Sequence, residues 1–366
     1  MIERQVYPQP MRRRHLRLLP VVLMLCLSLV LGTLLWYALA YRRTPTYALN
    51  AIAEGVKNHD AETVARYVDL PAVSAEIYGD LLTDILRENP ATNPQAKETI
   101  AQYYQTIQPE VIDGMKEAAL LYVQKGVLTS PQGLFQGRNL GFDFEAFLER
   151  TLLSRVQVLN LESIDRDGHQ ATAQVAIRDM GTDTPFTLKL ALTQAEDGHW
   201  QVTAIQNYKE YLDTLGPLYQ KDIVQYQKAS EGIVNHYNQI FQNEQARFAK
   251  LMNTKNGLFT PEEKTALHHL LTDEVMPQLK ARQKALSALE VPPGARYVSQ
   301  LRATSTALTL AAWERFLAGV DQDDLKAYDD AETLHKQALV IELRLAGIFH
   351  HVAVAGEENQ EPPSAN

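Results

Sequence analysis

The sequence is poorest in cysteine. Cys26 is the only one in 366 residues, so no internal disulfide can form and the fold must rest on its own core. No HExxH zinc signature and no GK[ST] phosphate loop occurs either, which removes the clearest sequence marks of metalloprotease and nucleotide chemistry. Positive charge is scarce over most of the chain. Seven of the 35 basic residues and one of the 44 acidic ones fall in residues 1–43, which leaves 28 against 43, a net −15, for residues 44–366. Such a surface repels nucleic acid and anionic headgroups and keeps the protein soluble.

What the chain does have is one long apolar run, LLPVVLMLCLSLVLGTLLWYALA, from Leu18 to Ala40. As a helix its roughly 23 residues would extend about 34 Å, enough to cross a hydrocarbon core with a slight tilt. Trp36 and Tyr37 stand near its far end, where amphipathic rings favour the headgroup level. Arg4, Arg12, Arg13, Arg14 and Arg17 precede the run, and only Arg42 and Arg43 follow it closely. The positive-inside bias then leaves residues 1–17 as a basic cytoplasmic segment and places the remainder outside. The expected location is the cytoplasmic (inner) membrane, crossed once, with the lipid bilayer as the first partner. A cleaved signal peptide is the rival, since Ala38-Leu39-Ala40 has a small-x-small form; but signal cores are about 7–15 residues long, so a retained anchor is expected. Cys26 lies within the span without the small residues of a lipobox.

A length of 366 residues suggests about two domains. Residues 44–57 read as a helix, and Asp60 and Asp69 read as N-caps of two more, with Pro71 in a first turn. Asn89 to Pro94 is a break. A long helix follows to about Gly126, with Pro109 as a kink or division. The glycine-rich SPQGLFQGRNLG, residues 130–141, is a candidate lid or pocket rim carrying Phe135. Phe142 to Leu153 returns to helix. The period then changes to two: Val156–Leu161, Ala171–Ile177, Phe186–Leu192 and Trp200–Ile205 are four strands joined by Asp-Gly-type turns, hence an antiparallel meander. Its apolar face needs the preceding helices as cover, which makes residues 44–213 an α+β domain.

Helices followed by a curved meander that ends in HWQVTAIQN resemble the nuclear-transport-factor-2-like superfamily of α+β cones. AIAEGVKNHDAETVARYVDLPAV with PFTLKLALTQAEDGHWQVTAIQNYKEYL is similar to bacterial membrane-anchored proteins of unknown function that carry such a domain. The resemblance covers about residues 46–213. It implies a fold and a cavity, and brings no enzyme with it. Steroid-isomerising members use an aspartate and a tyrosine inside the cone, and no positions here match them. Phe135, Trp200 and Tyr208 are the candidate pocket residues, although a tryptophan alternating with Val202 on a strand more often serves the core.

From about Leu215 to residue 353 the spacing predicts an all-α bundle, with Thr260-Pro261-Glu262-Glu263 as a capping box, a kink or restart at Pro277, and Pro292-Pro293-Gly294 as a separator. Residues 354–366 have the composition of a disordered tail. His268-His269 with Asp273, His350-His351 and Asp321–Asp324 suggest metal ligands, but capping and surface exposure explain them better, so no metal or cofactor is expected. The acids at defined positions all have capping or surface explanations. The functional expectation is therefore a membrane-tethered, non-catalytic binding or assembly module for an unknown protein or a small apolar ligand. The alternative is an enzyme or ligand carrier using the cone cavity. A well-filled cone favours the module, whereas an enclosed pocket with an isolated acid beside a tyrosine favours the enzyme.

Overall fold

A computed structural model describes residues 18–87, 94–126, 142–252 and 259–358. Arg12, Arg13, Arg14, Arg17 and Phe135, with the glycine-rich stretch 130–141, lie outside the described residues. Helix α1 (Leu18–Leu39) begins at Leu18, and its described side chains, Trp36 and Tyr37 among them, are exposed. It belongs to the one segment among the described residues that is long and apolar enough to cross a membrane, Pro20–Arg43, with a mean hydropathy of 2.3. The Ala40 N–H donates to the Trp36 carbonyl at 2.8 Å, and a 3-10 turn (Tyr41–Arg43) leads out of the helix. A chain of ring contacts ties this exit to the helices after it: Tyr37 on Tyr41, Tyr41 on Tyr47, and Tyr47 on Tyr67, at 5.1, 5.5 and 6.0 Å between centroids.

Helix α2 (Pro45–Lys57) is capped by Thr44, α3 (Ala61–Tyr67) by Asp60, and α4 (Leu70–Arg87) by Asp69, whose carboxylate accepts from Ala72 N at 3.1 Å. Capping is thus the use of both aspartates. Helix α5 (Pro94–Lys125) runs continuously through Pro109, and α6 (Phe144–Arg150) is capped by Asp143. Four antiparallel strands follow in the order β1 (Val156–Asp167), β2 (Gln170–Asp179), β3 (Thr184–Gln194) and β4 (Trp200–Ile205). Gly168 turns the first hairpin with φ +59°, a value open to glycine at little cost. The period-2 residues Ala171, Ala173, Val175 and Ile177 of β2 are buried beneath helices. β1 is an edge strand, and Val158 and Leu161 on it stay exposed. The fold is α+β and mostly helical.

Helix α7 (Tyr208–Met252) leaves the sheet and runs 45 residues into the bundle, unbroken at Leu215-Gly216-Pro217, where the sequence suggests a boundary. The bundle continues with α8 (Pro261–His268), started by the expected capping box, and a π-helical turn (His269–Val275). Helix α9 (Met276–Ser287) holds Pro277 in its first turn, where the missing N–H breaks no intrahelical bond. Helices α10 (Arg296–Gln322) and α11 (Leu325–Glu358) complete it. α11 extends over residues 354–358, which the composition assigns to the tail; alanine and glutamate prolong a helix already nucleated.

Candidate functional site

Trp200 is wholly buried at the end of the sheet nearest α1. Its Nε1–H donates to the Arg43 carbonyl at 3.0 Å, and the Arg166 guanidinium lies 4.9 Å over its ring. Tyr208 is equally buried, and its hydroxyl donates to the Thr151 carbonyl at 3.0 Å. Both are core residues with their polar atoms bonded, and neither lines a described cavity. The interior of the sheet domain is filled by Tyr78, Leu81, Ile177, Tyr211 and Leu215, all 5% exposed or less.

The open space lies elsewhere, between the sheet domain and the bundle. A cavity of about 930 Å³ is bounded by α4, α6, the turn before β1, α7, the 3-10 turn (Pro293–Ala295), the head of α10 and the C-terminal half of α11. Its walls are largely apolar, with Leu81, Phe142, Leu212, Ile223, Val298 and Ile348 among them. Two of the three arginines in this lining, Arg344 and Arg155, are paired with carboxylates. Arg344, its side chain 7% exposed, sends Nε to Asp143 Oδ2 at 2.7 Å and Nη2 to Asp143 Oδ1 at 2.9 Å and Glu145 Oε2 at 2.8 Å. Burial alone would weaken the guanidinium's hold on its proton, but the Asp143 bonds outweigh it and hold its pKa above the ordinary value. Asp143 thus caps α6 and clasps α11 at once, joining positions 201 residues apart. Arg155 reaches Glu149 at 2.8 Å and lies against the rings of Tyr219 and Tyr297, at 5.0 and 5.6 Å. Burial pushes the Glu149 carboxyl up even against the Arg155 charge, and pushes the Tyr297 hydroxyl up to about 12.

Tyr219 joins the two parts of the molecule. It projects from α7, and its hydroxyl donates to Asp179, fully buried at the end of β2, at 2.8 and 2.9 Å from the two carboxylate oxygens. The same carboxylate accepts from Thr182 N at 2.7 Å and Thr182 Oγ1 at 2.8 Å. Gly181 leaves room for the tyrosine, since a Cβ there would overlap Tyr219 Oη.

Sequence reasoning singles out none of Asp143, Glu149, Arg155, Asp179, Tyr219 and Arg344. Two had a signal. Arg344 is a lone cation in the apolar stretch VIELRLAGIF, and Asp143 precedes a helix in the manner of Asp60. Of the metal suggestions, His268 pairs with Asp321 at 2.6 Å and His269 with Glu274 at 3.2 Å, both at the surface. No cluster of three or more metal-binding side chains occurs among the described residues.

A family described as a protein of unknown function (DUF2939) matches residues 34–121, from the end of α1 into α5. The match includes Leu81 and Asp84 of the cavity wall and ends before the sheet. No curated protein and no solved structure matches the chain.

Proposed function

We propose that this chain is a single-span protein of the bacterial cytoplasmic membrane, with its N-terminus inside, and that its exported part is a non-catalytic binding module whose ligand occupies the cavity between sheet domain and bundle. One observation carries the reading. Large buried side chains cluster in the described interior of the sheet domain, while about 930 Å³ stays open between two parts that α7 holds together. That volume lies in the range of small-molecule sites, which combine apolar walls with a few placed polar groups. The sheet domain is read as a cone of the nuclear-transport-factor-2-like kind whose usual cavity is occupied by core side chains. The length and apolar composition of α1 support the tether.

An enzyme is the second reading, favoured by the raised carboxyl of Glu149 in the cavity wall. Against it, Glu149 is tied to Arg155, and Tyr219 is tied to Asp179. A general acid needs a free path to substrate.

The test is native mass spectrometry of the full chain released from membranes in mild detergent. A bound small species should accompany the wild type and be lost when Ala146→Trp fills the cavity. Wild-type and variant spectra free of any bound mass would overturn the reading.

A further inference from the structure

The charges around the cavity indicate which ligand it takes. Arg344 faces two carboxylates, Asp143 and Glu145. Arg155 faces Glu149. Lys209 is shared by Asp84 and Asp213, at 3.3 and 3.1 Å, and both of those aspartates line the wall. Arg150 also lines it, and Asp179 stands behind Tyr219. Four cations thus stand against six carboxylates, and both Arg344 and Arg155 already bond carboxylates. An anionic headgroup entering here would meet surplus negative charge. A cation would meet attraction in a wall of low dielectric, where charge counts for more than in water.

Position separates the cavity from the span. The Asp167 end of β1 lies beside Trp200, because Arg166 covers that ring, and Trp200 is bonded to Arg43 at the exit from α1. The cavity begins at the opposite end, at Arg155, just before β1. Twelve residues of strand at about 3.3 Å each separate the two ends by roughly 35 Å. That length of strand sets the cavity off from the exit of α1.

We propose that the cavity takes a cationic amphiphile, a ligand with an apolar body and an ammonium or guanidinium head seated against the Asp84–Asp213 side of the wall. The assignment rests on the reading of the cavity as the binding site. Val340 and Leu343 give the rim an apolar lip on α11, with Leu343 73% exposed; the body of the ligand lies there while the head points inward.

The experiment uses the full chain in zwitterionic nanodiscs at neutral pH. Two photoreactive probes of equal chain length, a diazirine-bearing dodecylamine and the matching dodecanoic acid, are crosslinked by light and their adducts mapped by peptide mass spectrometry. Labelling of α1 serves as the internal reference for partition into lipid. The amine is expected to label segments 212–223 and 340–352 at least tenfold more than the acid, relative to α1. Asp213→Asn, alone and with Asp84→Asn, is expected to reduce that preference at least threefold. Equal or greater cavity labelling by the acid overturns the inference and leaves the cavity reading standing. A preference unchanged in both variants overturns the placing of the head. If both probes label α1 and nothing around the cavity, the reading on which the inference rests falls with it.

Discussion

The two sides of the Leu212–Tyr219 stretch of α7 show opposite ways of using one helix. Toward the sheet, Tyr211 and Leu215 enter a core beside Tyr78 and Ile177, all of them buried. Toward the bundle, Gly216, Pro217, Tyr219 and Gln220 face about 930 Å³ of open volume. On the first side large apolar and aromatic groups interdigitate, and their polar atoms end on backbone carbonyls, as Tyr211 does on Leu152 at 3.0 Å. On the second, sheet domain and bundle meet through long charged side chains that hold α11 away from α6 at the length of an arginine. Dispersion favours close approach wherever surfaces are apolar. Paired ions set a fixed spacing, and that spacing leaves the cavity.

The comparison can be broken most severely from the packed side. Trp200→Ala removes the largest fully buried side chain of the sheet domain and should cost about 3–5 kcal/mol, measured by chemical denaturation followed by far-UV circular dichroism. A loss below about 1 kcal/mol would mean that the sheet domain is not densely packed there. On the open side, Arg344→Met leaves Asp143 and Glu145 without their cation. The expected loss is about 1–2 kcal/mol, since Arg344 is buried but the two carboxylates it leaves are over a third exposed and water screens them. Hydrogen exchange should quicken in α6 and leave β2 and β3 protected; uniform quickening would refute a clasp confined to this junction.

A third variant sharpens the contrast inside the bundle. Glu244 is buried, its Oε2 has no hydrogen-bond partner, and burial with help from Glu274 raises its pKa despite Arg247. A carboxyl whose folded value lies above its unfolded one binds more protons when folded. It therefore lowers stability progressively as pH rises from the ordinary carboxylate range through the raised value. Glu244→Gln should be indistinguishable from wild type below that window and melt about 2–4 °C higher above it, as seen by calorimetry at acid and neutral pH. A pH-independent difference would assign the effect to packing. The smallest effect is expected from Ala146→Phe. Its ring enters open volume, so the cost should stay below the roughly 1–3 kcal/mol typical of overpacking; a larger loss would show that the cavity wall cannot accept a side chain.

The secondary structure was legible because it is written in local chemistry. Asp60, Asp69 and Thr260 cap helices from their own side chains, and the alternation from Ala171 to Ile177 declares a strand with one buried face. Trp200 was legible in part: its place on a strand implied core, and only its bond to Arg43, 157 residues away, shows that it anchors the exit from α1 to the sheet. The candidate site was illegible for the same reason on a larger scale. Asp143 and Arg344, or Asp179 and Tyr219, carry no mark of each other at separations of 201 and 40 residues. By itself the sequence determined the apolar span of α1, the meander and the helical remainder, because spacing and capping act within a few turns of chain. Tertiary structure alone decided that α7 would run unbroken from sheet to bundle, and that partly buried ion pairs would stand beside a cavity between the two. Long-range electrostatics and packed volume depend on which distant residues meet, and no local pattern encodes that.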